Sequence, residues 1–183
     1  MMGMRRRFYA LAVAVGLAGG AAVPAAATAA PPKPSACPAD PVLPDALSGW
    51  ARISSSKTIY GYGEARAAEW PVLGPVRTGL SLHRAESLRY WVAPERAPDV
   101  HKFGGMVPVR VETAGRLVVA LDAGAWIDLV RDGAVVKSVA HGHGPACSGI
   151  RKMVEYDVAP GRYLLQISGA PAQSIRALAV MRD

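Results

Sequence analysis

Cysteine is almost absent from this sequence, with only Cys37 and Cys147 in 183 residues, so at most one disulfide can form within the chain. Serine stands in no G-x-S-x-G elbow, the sharp strand-to-helix turn that exposes the nucleophile of many hydrolases. Sustained helical periodicity is missing from the body of the chain, which argues against a helical bundle or alternating βα units. Concentrated positive charge is missing too. The 21 basic residues fall to 18 against 14 acidic ones once Arg5, Arg6 and Arg7 are set aside, and the remainder are scattered. Nucleic-acid binding requires a concentrated basic face, so nucleic acid is excluded as a partner.

Those three arginines head the segment that is most informative about compartment. "MMGMRRR" is followed by the uncharged apolar run "FYALAVAVGLAGGAAV" and then by small residues. This is the layout of a secretory signal peptide over residues 1–29, with Ala27 and Ala29 fitting an A-x-A site cut before Ala30. The apolar run is shorter than the roughly 20 residues that cross a bilayer and is rich in Gly and Ala. The expectation is a periplasmic or secreted chain with no membrane span after cleavage. Residues 30–50 carry six prolines in "APPKPSACPADPVLPDALSGWA" and read as a tether. It ends in a short helical turn near Pro44 to Gly49, with Trp50 anchoring it to the body. Residues 51–76 read as an irregular covering segment in which Tyr60, Tyr62 and Trp70 lie over an edge of the core.

Residues 77–183 carry a strand pattern. "GLSLHR", "SLRYWV", "MVPVRVE", "RLVVALD", "AWIDLVR", "AVVKSVA", "KMVEYDV", "RYLLQIS" and "IRALAV" are strand-length, rich in β-branched and aromatic residues, and largely alternating. Turn signals separate them. Asp132-Gly133 is the sharpest, the type I′ hairpin pair that needs positive φ at both positions. Pro108 places its strand at an edge or a bulge, because proline donates nothing to a ladder. The fold class expected is all-β, an antiparallel β-sandwich of eight or nine strands with jelly-roll character.

Two resemblances accompany this pattern. The stretch "VPVRVETAGRLVVALDAGAWIDLVRDGAVVKS" with "VAPGRYLLQISG" resembles bacterial pre-peptidase C-terminal domains, small secreted jelly rolls. Ile127-Asp128-Leu129 and Pro160-Gly161-Arg162-Tyr163 occupy the places of that family's strand and turn motifs. The resemblance covers roughly residues 103–181 and implies an accessory binding or maturation module without catalysis. Phe103-Gly104-Gly105, the "AW-D" strand and "HGHGPACSGIRK" are also similar to short exported bacterial proteins labelled homogentisate 1,2-dioxygenase. That label implies a ferrous centre with two histidines and a glutamate. His141, His143 and Glu155 are the residues this chain could offer, although the surrounding motif is absent.

The loop "VAHGHGPACSGIRK" concentrates the remaining chemistry. Residues i and i+2 of a strand share a face, so His141 and His143 could offer two imidazoles to iron, copper or zinc, with Cys147 as a third ligand. Met153 follows Cys147 with no histidine between, which departs from a blue-copper arrangement. An oxidising compartment instead favours a disulfide between Cys37 and Cys147, with free thiols or a bond to a partner as the alternatives. That pairing would remove the thiolate. No catalytic residue is assigned, and a solvent-facing loop is favoured over a metal site. Gly149, Arg151 and Lys152 form a possible anion site beside free N–H groups, set against a reading as solvated charges at a strand start. Asp128, inside an apolar strand, is expected to point outward, or else to be a buried acid paired with an arginine. The functional expectation is an exported, monomeric, non-catalytic binding or envelope-associated module, with no cofactor and an envelope or extracellular ligand. A metal-dependent dioxygenase using His141 and His143 is the alternative.

Overall fold

A computed structural model describes residues 37–38, 41–60 and 71–182, with residues 53–60 as backbone alone. The leader, residues 30–36 and 39–40 of the tether, and Tyr62, Trp70 and the Tyr60 side chain lie outside the described residues. A 3-10 turn at Asp45–Leu47 runs into the single-turn helix α1 (Ser48–Ala51). Eleven strands follow: β1 (Ile53–Tyr60), β2 (Arg77–Ser81), β3 (His83–Arg84), β4 (Phe103–Val111), β5 (Gly115–Leu121), β6 (Trp126–Arg131), β7 (Ala134–Val136), β8 (Ser138–Gly142), β9 (Lys152–Val158), β10 (Gly161–Ala170) and β11 (Ser174–Arg182). They form one sheet in the order β1-β2-β11-β5-β9-β8 and a second in the order β3-β4-β10-β6-β7. All pairings are antiparallel except β1 with β2.

The pairings are nested. β6 pairs with β7, β5 with β9, β4 with β10, and β2 with β11. The chain is thus one long doubled ribbon wrapped across two sheets, the path of a jelly roll. At its innermost end Asp132 and Gly133 take φ values of 51° and 77° between paired Arg131 and Ala134, the expected two-residue type I′ turn.

Strand alternation divides the apolar residues between an inner and an outer face. Leu117, Val119 and Leu121 of β5, Ile127 and Leu129 of β6, Leu165 and Ile167 of β10, and Ala177 and Ala179 of β11 fill the space between the sheets. Both outer faces are covered as well. On the first sheet Val118, Ala120 and Leu178 are buried under Leu47, Trp50 and Ile150. On the second, Met106, Val130 and Leu164 lie under Tyr90 and Val92. This second cover corrects one expectation: "SLRYWV" is not a strand. After a 3-10 turn at Ala85–Ser87 the chain crosses the outside of the second sheet irregularly. The side-chain amide of Gln166, 1% exposed, takes the place of a strand partner. It accepts from the Val92 N–H at 3.1 Å and donates to the Val92 carbonyl at 3.0 Å.

Other boundaries shift for similar reasons. "AVVKSVA" is two strands, since the chain changes sheets at Lys137. β1 falls inside the segment expected to be irregular, and with β3 and β8 it raises the strand number above the expected eight or nine. Pro108 behaves as an edge residue. β3 reaches only Phe103 and Gly104, and the Pro108 carbonyl faces away from β10 to accept from the Leu73 N–H at 2.9 Å. The nitrogen of a strand residue points the same way as its carbonyl, so no bond to β10 is lost.

Candidate functional site

The two cysteines pair with each other. Cys37 and Cys147 form a disulfide with a Cα–Cα distance of 5.4 Å and a sequence separation of 110. Trp50, 2% exposed, donates from its indole to the Ser148 carbonyl at 2.9 Å, and Arg77 lies over its ring at 5.6 Å. The segment from Cys37 to Trp50 therefore holds the loop at residues 143–151 from one side, and the strands hold it from the other. Arg151 N–H donates to the Leu121 carbonyl at 2.8 Å.

Inside the loop the polar groups satisfy one another. The Ser148 hydroxyl donates to the Pro145 carbonyl at 2.6 Å and accepts from the Ile150 N–H at 3.1 Å. His143 places Nδ1 2.8 Å from the Arg151 carbonyl oxygen, to which it donates as the Nδ1–H tautomer. Gly144 is required by close approach, because a Cβ there would collide with the Ile150 side chain. Gly149 has φ +73°, in the left-handed region that glycine adopts freely. The N–H groups of Ser148, Ile150 and Arg151 are already committed within the protein. The anion reading at Gly149, Arg151 and Lys152 requires free donors beside that glycine.

A metal reading fares differently from the loop's appearance. Cys147 is held in the disulfide, and His143 is bonded to a backbone carbonyl. Glu155 is engaged by Arg116 at 3.1 Å and Arg182 at 2.8 Å. Among the described residues no group of three or more His, Cys, Asp or Glu side chains is placed to hold a metal ion. The donors present do not fit a ferrous dioxygenase centre, and the expected third ligand is lost to the bridge.

His141 is positioned differently from His143, for a topological reason. β7 covers β6 only from Leu129 to Arg131 before the chain crosses to become β8 in the other sheet. A recess of about 80 Å³ opens there, between β6 and β7 on one side and β8 and β9 on the other. That is room for several waters. Ile127, Val135, Val136 and Val154 form apolar walls. Asp128 and Glu95 line it from the second sheet and its cover, and His141 and Lys152 from the first. Trp126 and Tyr156 contribute rings.

Asp128 fits neither expectation fully. Its face is the outer one, shared with Trp126 and Val130 and opposite to Ile127 and Leu129. It is nevertheless buried, at 3% exposure, because the covering segment passes over it. Among the described residues its partner is not an arginine. The Trp126 indole donates to Oδ1 at 2.8 Å, and the Glu95 backbone N–H supplies a second hydrogen bond. Burial holds the carboxyl above the ordinary carboxylate range, the two hydrogen bonds oppose that shift, and the charge of Glu95 adds to it. Burial likewise raises the Tyr156 and Tyr90 hydroxyls, with the Asp128 charge next in weight. Tyr156 donates to the Ile127 carbonyl at 3.0 Å, and Tyr90 to that of Ile167 at 2.9 Å.

Arg110, Arg116, Arg131, Arg176 and Arg182 each form ion pairs, with Glu112, Glu155 and Asp157, Asp132, Asp122 and Glu155. No ion pair among the described residues joins Asp128 or Glu95 to His141 or Lys152. Glu95 and Trp126 were not anticipated as site residues. The spacing of Trp126 and Asp128, two apart on an apolar strand, was a usable signal for one of them. Nothing local marks Glu95, whose place depends on the path of the cover. No family model, curated protein or solved structure matches the chain.

Proposed function

We propose that the chain is an exported, non-catalytic binding module of the bacterial periplasm or the extracellular space, taking a ligand in the recess beside Asp128. The recess carries the reading. It places two acids, two bases and two aromatic rings around a small apolar-walled space, the form a specific binding site takes. Paired strands supply most of its lining, so those side chains are preorganised. The disulfide fits an oxidising compartment, and no helix among the described residues is long and apolar enough to cross a membrane. The signal-peptide layout and the resemblance to pre-peptidase C-terminal domains point the same way.

The test uses isotope-labelled, disulfide-intact protein without an affinity tag. Fragments of envelope polymers are titrated while the Trp126 indole resonance is followed, assigned by Trp126→Phe. Saturable movement with chemically unchanged fragments supports the module. Turnover of a fragment would overturn it, as would stoichiometric metal lost on His141→Ala and His143→Ala, or an unmoved resonance throughout.

A further inference from the structure

The recess is divided by charge according to sheet. Asp128 comes from β6 and Glu95 from the segment covering that sheet, whereas His141 and Lys152 come from β8 and β9 of the other. Opposite charges around so small a space would ordinarily close on each other, yet no ion pair among the described residues spans it. Asp128 cannot swing out to find one. It is buried, tied to the Trp126 indole and the Glu95 backbone, and fixed in register opposite Gln166. Lys152 starts β9 opposite Leu121, and His141 is paired opposite Val154, so the backbones of both bases are fixed too.

A lone cation would meet the acids and be repelled by Lys152. A lone anion would meet the reverse. A ligand carrying both charges a few ångströms apart satisfies both walls at once, and charge-assisted hydrogen bonds are the stronger kind. Deepening the binding reading above, on which this rests, we infer that the recess takes a small zwitterion with the head group of an α-amino acid. Its ammonium faces Asp128 and Glu95, and its carboxylate faces Lys152 and His141. The neighbouring rings of Trp126 and Tyr156 suit the ammonium side. The space of about 80 Å³ restricts the enclosed part to the head group and a short side chain.

The probe is L-alanine, with methylamine and acetate as single-charge controls, titrated into disulfide-intact protein while the Trp126 indole resonance is followed. Alanine is expected to saturate the shift, with each control at least about tenfold weaker. Asp128→Asn and Lys152→Gln should each weaken alanine by about tenfold or more. Glu95→Gln, at an exposed position, serves if Asp128→Asn fails to fold, and should weaken alanine and methylamine together. An equal response to either control, or an unchanged alanine titration in folded Lys152→Gln, would overturn the assignment. Failure of alanine alongside a shift caused by envelope fragments removes the ligand class and leaves the binding module standing. Failure of both removes both.

Discussion

The two outer faces of the sandwich are covered by opposite means. Over the first sheet lies an apolar seal: Leu47 and Trp50 press onto Val118, Ala120 and Leu178, and a disulfide fastens the segment at Cys147. Over the second sheet lies an irregular segment held largely by directional bonds, from Tyr90, Gln166 and the Glu95 backbone. The apolar seal contributes stability and leaves little room for chemistry. The polar cover buries a carboxylate at the seam between the two sheets, where the recess opens. The first cover is fastened by apolar packing and a covalent bond, and the second by hydrogen bonds beside a buried acid.

The largest way to break this contrast is to cut the staple. Cys37→Ser with Cys147→Ser is expected to cost about 3–5 kcal/mol, read from the urea midpoint, because the bridge closes a loop of 110 positions in the unfolded chain. The Trp50 fluorescence of the folded variant should report a loosened first cover while the Trp126 indole stays in place. If both move together, the two covers are one cooperative unit and the contrast fails.

A smaller loss should follow from Gln166→Leu, which keeps the volume but strands the Val92 N–H and carbonyl. About 1–3 kcal/mol is expected. Amide exchange should accelerate at Val92 and Glu95 and not at Trp50. Equal acceleration on both faces would count against separate covers.

The smallest effect concerns pH. Burial raises the Asp128 carboxyl, so the folded chain keeps this proton over a window in which the unfolded chain has released it. The contribution of this group to stability is full below the ordinary carboxylate range. It falls as pH rises through the window up to the raised value and stays low above it. Glu95, Tyr90 and Tyr156 share this surrounding electrostatic field, and His141 and Lys152 line the same recess. Asp128→Asn should flatten the urea midpoint across that window and raise it above. An unchanged slope would mean that the second cover does not desolvate the acid.

What could be read in advance was set by local chemistry. Asp132-Gly133 can make few turns other than the one it makes, Pro108 cannot donate to a ladder, and two cysteines have one mutual bond available. The alternation of "RLVVALD" and "RYLLQIS" follows from burial on each strand itself. The misreadings were tertiary. "SLRYWV" has strand composition but meets a glutamine side chain where a ladder would be. "AVVKSVA" reads as one strand because nothing at Lys137 marks a change of sheet. The histidine loop raises a metal through the i, i+2 spacing of His141 and His143, with a solvent-facing loop as the favoured reading, and nothing local shows that Gly144 is there to let Ile150 approach. Asp128 stands out in sequence as an acid in an apolar strand, but its companions Glu95, His141 and Lys152 come from three other segments that only the wrapped ribbon brings together.

The nested pairing also orders the way the chain can assemble. Each pair spans more chain than the one inside it, from the hairpin at Asp132-Gly133 out to β2 with β11. Closing the outermost pair first would confine the whole ribbon before any inner contact compensates, whereas closing from the turn outward leaves only a short loop at each step. Each doubling of a loop costs about 0.6 kcal/mol, and folds dominated by distant pairings are slow to form. The tight turn at Asp132-Gly133 is therefore the natural starting point of a zipper, and the strands that line the recess, β6 to β9, are the inner ones that it brings together before the outer pairs close.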